Sequence, residues 1–548
     1  MIGVVVNSSE RAVVEEFFEL FKTPWEFYSE GGRYDVVLYA GKLDDLEKIS
    51  ARVVILYSSE ECGADKRRNI VVRQHRGGEI AFGDIRIPVY GRVAWLTGSS
   101  TAIPTACLVE LTDPILVRIG YDLFSEIRTL LSSGQPASNS FVPTVDLHIA
   151  LLRRLIVGCG LPLTEVPPVP AGFSFIACLT HDLDHPSLRC HKFDATMWGF
   201  LYRATIRSVA DTARGRLAPK KLLKNFSAAA RLPLVYLGLA EDPWFQFQRY
   251  VDIEQESKST FFLIPFANTA GRTAPQRRAA GYDSIEIRDK IRSLVAEGCE
   301  VGVHGIDAWT ESALGTKEKD RVSTVAGVES AGVRMHWLYF DQGSAAALEE
   351  AGFSYDSTVG YNETIGYKAG TTQAFRPFGA RELLELPLHI MDTAMFYRAY
   401  MNWTESEAWS RVALLVEHAS CSGGVLTVNW HDRSLAPERL WEDFYVRLLS
   451  ELSRKRALFL TGSEAAAWFR ARRSVAFEET RDGRLAVRVT RKVSHAHVPL
   501  RLRTYSAQQP PSSVVDIERT QEMFVDTSFS DIAYVESAAL ESKAPASR

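Results

Sequence analysis

The apolar runs of this chain predict an α/β protein: a barrel of seven parallel β/α repeats, preceded by a small α/β domain and followed by a short β appendage. Three observations carry the prediction. Short apolar runs of strand length alternate seven times with helix-like stretches between residues 173 and 470. A stretch holding Pro162, Pro167, Pro168 and Pro170 interrupts the pattern just before them, where neither helix nor central strand tolerates it. After residue 470 helical periodicity stops, and two alternating runs flank Arg481-Asp482-Gly483-Arg484, a hairpin signal.

These boundaries divide the chain into an accessory α/β domain (1–160), a Pro-rich linker (161–172), the barrel (173–470) with an insertion at 192–240, the β appendage (471–505) and a tail (506–548). Serine, alanine, proline and charge in the tail predict disorder. In the first domain, residues 2–6, 35–39 and 52–57 have strand character, and 9–21 carries a helical stripe of Val13, Val14, Phe17, Phe18 and Phe21. Helices are expected at 122–131 and 145–157. Asn7-Ser8-Ser9 follows the first strand where a nucleotide-binding fold would place its glycines, so this domain is read as accessory.

The barrel strands are expected at 173–179, 259–263, 300–303, 333–337, 383–388, 425–430 and 457–460. The helix before the third strand is the clearest: Asp283 and Glu286 have capping-box spacing, Ile287, Ile291, Leu294 and Val295 form one apolar stripe, and Gly298 ends it. Another begins near Pro243, with Trp244, Phe247 and Val251 inward.

A chain of 548 residues exceeds what one hydrophobic core usually holds. Its 46% hydrophobic and 24% charged content is that of an ordinary globular protein, and a net charge of -4 argues against a general nucleic-acid binder. Seven scattered cysteines without a Cys-x-x-Cys pair read as reduced thiols and not as zinc ligands. Polar Asn7 to Glu10 directly after Met1 to Val6 does not read as a secretory signal, and no apolar run is long enough to span a membrane. A cytoplasmic protein is expected, with room for a membrane-peripheral contact. The insertion supplies a candidate surface. Residues 201–232 hold eight Lys or Arg against the single acid Asp211, beside Met197, Trp198, Phe200, Leu201 and Tyr202. It reads either as a solvated helical hairpin or as a contact for an anionic lipid or lipid-linked glycan.

Chemistry is expected where strands end, because active sites of parallel barrels gather at the carboxyl ends of the strands. The first barrel strand runs into Thr180-His181-Asp182-Leu183-Asp184-His185. Asp182 and Asp184 lie two apart, so in extended backbone they point to one side and repel unless a cation or proton intervenes. The third strand runs into His304-Gly305-Ile306-Asp307, the fourth carries Arg334-Met335-His336-Trp337, and the sixth ends at His431-Asp432.

The order Thr-x-Asp-x-Asp (180–184), Gly-x-His-Gly (302–305), Arg334 near an aromatic, and a late strand ending in His431 resembles the NodB-homology polysaccharide deacetylases, carbohydrate esterase family four. Tyr355-Asp356-Ser357 also looks like a segment of that family, and the resemblance covers residues 173–469. It implies a distorted seven-stranded β/α barrel and hydrolysis of an N-acyl group, acetyl in the first place, from an amino sugar of a polysaccharide or lipid-linked glycan. It further implies a divalent metal, zinc before others, with Asp184 and His304 as ligands. Asp182 would be the general base, Arg334 its orienting partner and His431 the general acid for the leaving amine.

The family places a further histidine four residues after the first, where this chain has Ala308. Asp307 or His336 could replace it. Two other readings stay open: a metal-independent, allantoinase-like C–N hydrolase, and a catalytically inactive glycan-binding protein. His185, His389 and Asp392 are further candidates for the same rim, and Trp309, Trp337, Tyr339 and Tyr361 for stacking on sugar.

Overall fold

The apolar runs pair into parallel sheets in each of two compact units. A computed structural model describes every residue except 41–48, 99–103, 216, 256, 268–281, 481–483, 492–497 and 536–548. One unit holds residues 1–172, 369–375 and 467–548, the other 173–368 and 376–466.

In the first unit a six-stranded sheet has the order Trp25–Phe27, Ile2–Val6, Tyr34–Ala40, Ala51–Tyr57, Ile115–Ile119, Cys107–Glu110, parallel except for the last pair. The helix Arg11–Phe21 buries the expected Val13, Val14, Phe17, Phe18 and Phe21, and further helices span Leu123–Ser132 and Thr144–Gly158. A long antiparallel hairpin, Val71–Phe82 with Ile85–Thr97, had no counterpart in the sequence reading. Its first strand is exposed at most positions and so lacks the apolar alternation that marks a strand.

Three expectations for the flanking segments are corrected. The Pro-rich segment 161–172 is not only a connection, because Leu163–Glu165 pairs with Leu500–Tyr505, which pairs in turn with Phe524–Phe529. The tail is ordered as far as Val535: Val514–Glu518 is helical and Ile532–Val535 pairs with Leu485–Val489. Both C-terminal sheets belong to the N-terminal unit and do not form a free appendage. The strands Val475–Glu479 and Leu485–Val489 do form the expected antiparallel pair, while the turn residues 481–483, His497 and residues 536–548 lie outside the described residues.

The second unit is built on one parallel sheet. Its strands are β1 (Phe175–Leu183), β2 (Ser259–Leu263), β3 (Glu300–Gly305), β4 (Gly332–Met335), β5 (Tyr355–Asp356), β6 (Leu384–Glu385), β7 (Leu388–Met391), β8 (Val425–Asn429) and β9 (Ala457–Phe459). The hydrogen-bonded order is β6-β5-β4-β3-β2-β1-β8-β7, with β9 pairing the start of β1. The two ends of this path, β6 and β7, are separated only by Leu386 and Pro387, so the sheet curls until both edges meet in one stretch of chain. Proline offers no N–H to a ladder, and the strand expected at 383–388 divides there. With the two-residue β5, this raises the expected seven strands to nine segments. Every residue of β1, β2, β4 and β8 is buried, as suits strands covered on both faces.

The insertion is helical at Ala195–Tyr202, Ser208–Ala213 and Pro219–Tyr236, with one π-helical turn, Arg203–Arg207, joining the first two. It is more than a solvated hairpin. Met197, Phe200, Ala204 and Leu232 pack into one buried cluster with Leu188, Trp244 and Ala436. Arg216 lies outside the described residues. Among the described residues no helix is long and apolar enough to cross a membrane.

Candidate active site

Strand register brings the separate motifs together. Thr180 of β1 pairs with Asn429 of β8, His304 of β3 pairs with Arg334 of β4, and all four strands end on one rim. Asp182 is buried there and held on both oxygens. Arg334 Nη1 donates to its Oδ1 at 2.9 Å, and Asn429 Nδ2 donates to its Oδ2 at 2.7 Å. Burial pushes the Asp182 carboxyl up, but the Arg334 guanidinium, with His304 and His431, outweighs it and holds the group below the ordinary carboxylate range.

Arg334 is itself fully buried and fixed at each nitrogen. Its Nη1 also donates to Thr180 Oγ1 at 2.7 Å, its Nε to the Ser357 carbonyl at 3.0 Å and its Nη2 to Ser357 Oγ at 2.9 Å. Ser357, from the Tyr-Asp-Ser segment, therefore positions the arginine. The guanidinium lies over the Phe262 ring, 4.6 Å from its centroid. That ring has room because residue 302 is glycine; a Cβ there would stand 2.7 Å from it.

Asp184 faces three imidazoles. Its Oδ1 is 3.3 Å from His304 Nε2 and 3.6 Å from His336 Nε2, and its Oδ2 is 3.8 Å from His431 Nε2. Oδ1 is buried and has no hydrogen-bond partner. His304 Nδ1 lies 2.9 Å from the Arg334 carbonyl, which can only accept, so the neutral ring keeps its Nε2 lone pair toward Asp184. Two lone pairs facing each other require a proton or a cation between them.

The donor atoms of Asp184, His304 and His336 all lie within 4.8 Å of one another. A tetrahedral ion with ligands at about 2.0–2.1 Å separates them by about 3.3 Å, so these residues fit a zinc-type ion. His336 is suited to ligation in a second way: burial lowers its pKa to about 4, which keeps the ring neutral near pH 7. Its position comes from an abrupt end to β4, where Trp337 and Leu338 both take positive φ, 64° and 55°, a conformation bulky side chains rarely adopt.

Asp307 was the other candidate for the third ligand. Among the described residues it is not in this group, and its backbone N–H is tied to Glu318 Oε1 at 2.9 Å. Ala308, where the family pattern has its second histidine, is fully buried, with its Cβ 3.6 Å from the space a Cβ on Gly315 would take.

His431 completes the rim. Its Nδ1 is 2.6 Å from Asp392 Oδ1, and its backbone N–H donates to Asp392 Oδ2 at 2.7 Å. Burial alone would push the imidazole down; Asp392, then Asp184 and Asp182, raise it to about 10. His389 is buried away from this cluster, its ring against Tyr367. His185 Nδ1 faces His191 Nε2 at 3.1 Å, and its backbone N–H donates to Asp432.

The rim opens into a cavity of about 1840 Å³ lined by Asp182, Asp184, His304, His336 and His431. Of the four aromatics expected to meet sugar, Trp337 lines it; Tyr397, Tyr400, Trp403 and Trp441 do so in place of Trp309, Tyr339 and Tyr361. Asn429 was missed although it stands two residues before His431, at the last position of β8.

Solved structures with related folds include polysaccharide deacetylases and members of carbohydrate esterase family four. A presumed polysaccharide deacetylase from Mycobacterium smegmatis is 19% identical, with a TM-score of 0.34, over 56% of this chain and 94% of that one. The Puue allantoinase is 14% identical, TM-score 0.32, over 55% and 92%. A family 4 carbohydrate esterase from Streptomyces lividans, in complex with acetate, is 10% identical, TM-score 0.22, over 52% and 92%. At this distance the likenesses decide nothing about activity. No family model and no curated protein matches the sequence.

Proposed function

We propose that the barrel is a metal-dependent hydrolase that removes an N-acyl group, acetyl in the first place, from an amino sugar of a polysaccharide or lipid-linked glycan. The observation that carries this reading is the Asp184–His304–His336 group set between an ionised, doubly held Asp182 and an Asp392-backed His431. A divalent ion held by the first three, zinc before others, would supply Lewis acidity toward the acyl oxygen.

The protein's own groups divide the proton transfers. Asp182 is anionic because Arg334 and Asn429 stabilise its charge, and it takes a proton from the attacking water. His431 carries a proton on Nε2, facing the site, and delivers it to the departing nitrogen, which cannot leave unassisted as an amide anion. Asp392 keeps Nδ1 protonated and fixes the ring.

A cavity of about 1840 Å³ is far larger than a small cyclic ureide needs, and the donor set suits a metal; both favour a glycan substrate over the metal-independent C–N hydrolase. Intact general base and acid argue against a catalytically dead glycan binder. The test is acetate release from N-acetylglucosamine oligomers by zinc-loaded protein, compared with Asp182→Asn. Absence of release together with absence of zinc binding would remove the reading.

The insertion supports a second, separate proposal, that it rests on an anionic lipid surface. Its helices expose Trp198, Ile206, Leu223 and Leu237 in company with Lys220, Lys224 and Arg231. Co-sedimentation with vesicles containing phosphatidylglycerol, but not with pure phosphatidylcholine, is expected; equal behaviour toward both would overturn it.

A further inference from the structure

We infer that the cavity beside His431 holds an oxyanion site, formed by Arg203, Arg433 and Arg439, for a phosphate carried by the sugar substrate. The identity of that substrate rests on the hydrolase reading above; the site itself rests on the three arginines.

Arg203 comes from the π-helical turn of the insertion, Arg433 stands two residues past His431, and Arg439 follows six residues later; all three line the cavity that contains Asp184 and His431. Their charges act on one another: burial first, then Arg439, pushes the Arg203 guanidinium down to about 10, and Arg439 is lowered as well. Partners within the protein offset the group only in part: despite burial, Tyr397, Asp432 and Asp184 hold the Arg433 guanidinium up, and Glu438 acts on Arg203 and Arg439 without outweighing burial. Glu438 is one carboxylate beside three guanidiniums: its Oε1 lies 3.8 Å from Arg203 Nη2, beyond hydrogen-bond reach, and accepts Trp244 Nε1 at 3.0 Å. Arg433 Nη2 donates to Tyr397 Oη at 3.2 Å, and against the effect of burial Arg433 and Arg439 pull that phenol below its ordinary pKa. Arg439 lies over the rings of Tyr397 and Trp441, 4.6 and 5.3 Å from their centroids.

The other carboxylates that face these cations, Asp392, Asp432 and Asp184, are committed to His431, to the His185 backbone and to the imidazole group. Arg203 Nε and Nη2 and Arg439 Nε are buried with no hydrogen-bond partner. Guanidinium forks match phosphate oxygens, and leaving such donors unmade is costly, so a site of this composition is completed by an oxyanion. A phosphate seated there lies in the same cavity as the acid that protonates the leaving amine, which suits an amino sugar carried on a phosphate.

Calorimetry on the full chain tests this without turnover, so its outcome is independent of whether acetate is released. Inorganic phosphate is expected to bind, and N-acetylglucosamine phosphate to bind at least about tenfold more tightly than N-acetylglucosamine. Arg203→Gln and Arg439→Gln should each erase that margin with zinc content unchanged. Equal binding of the two sugars, or a margin that survives in both variants, overturns the site. Glycerol phosphate is the control for a lipid headgroup, and its binding as tightly as the sugar phosphate overturns the assignment to substrate. Should the variants fail to fold, phosphorus NMR of inorganic phosphate with the wild-type chain decides: broadening reversed by pyrophosphate is expected, and its absence refutes the site.

Discussion

His336 holds its Nε2 3.6 Å from Asp184 Oδ1 and adds a third donor to the group that Asp184 and His304 begin, where the sequence pattern would have looked to position 308. The two positions differ in their surroundings. Buried Ala308 packs toward Gly315, whereas β4 stops one residue before His336 and turns through two positive-φ residues that direct the chain at the rim. Removal of this imidazole by His336→Gln should weaken zinc binding by at least about tenfold, read as the metal-to-protein ratio after dialysis against chelator. Asp307→Asn should leave that ratio unchanged. The reverse pattern would return the ligand to Asp307.

Asp182 and Arg334 form a pair buried almost completely, with side chains 4% and 0% exposed. Asp182→Asn is expected to lower kcat by about a thousandfold with zinc retained, since a positioned base is worth about 10²–10⁴. Arg334→Gln leaves a buried carboxylate with Asn429 as its hydrogen-bond donor and the more distant His304 and His431 as its charge partners, and should cost about 3–5 kcal/mol of stability in denaturant titration. The sign of the pH effect follows from the depressed pKa. The pair's stabilisation is present above the ordinary carboxylate pKa and is lost as pH falls through the lower folded value, so Arg334→Gln should also blunt the acid sensitivity of unfolding.

The residues legible in the sequence are those where polar groups stand at the ends of long apolar runs: Asp182, Asp184, His304 and His431 each announce a strand end. Asn429 did not stand out and Ser357 stood out only within the Tyr-Asp-Ser segment, without a role, because single small polar residues within apolar or turn segments carry no periodic signal; the folded sheet shows that they grip Asp182 and Arg334. The two-residue β5 is below the length at which alternation can be seen, and the break at Pro387 turns one expected strand into two that serve opposite edges of the sheet. The ordered strands beyond residue 506 were hidden by exposure, since Phe524–Phe529 buries only its last residue.

Gly302 shows how far from the reacting atoms this site can be disturbed. A Cβ there meets the Phe262 ring at 2.7 Å, and that ring is the face on which Arg334 lies. Gly302→Ala should therefore cost about 1–3 kcal/mol by overpacking and lower kcat through a displaced Arg334, with zinc content unaffected. Wild-type kcat in a folded Gly302→Ala protein would show that the ring does not position the arginine.

The link between His431 and Asp392 makes the sharpest pH prediction. In the metal-free protein His431 has its pKa raised to about 10, above the ordinary value near 6.5, against the effect of burial and chiefly by Asp392. A raised histidine contributes stability that is fully present below pH 6.5 and is lost as pH rises toward 10. Asp392→Asn removes the main raising charge while burial stays, so the imidazole titrates at lower pH and this stabilisation disappears near neutrality. Two measurements check it. Thermal unfolding of chelated wild-type protein should weaken between pH 7 and 10, and the Asp392→Asn protein should lack that slope. In the zinc-loaded enzyme the alkaline limb of the kcat profile should move to lower pH in Asp392→Asn, because the acid that protonates the leaving amine is lost sooner. An unmoved limb would mean that His431 is not that acid.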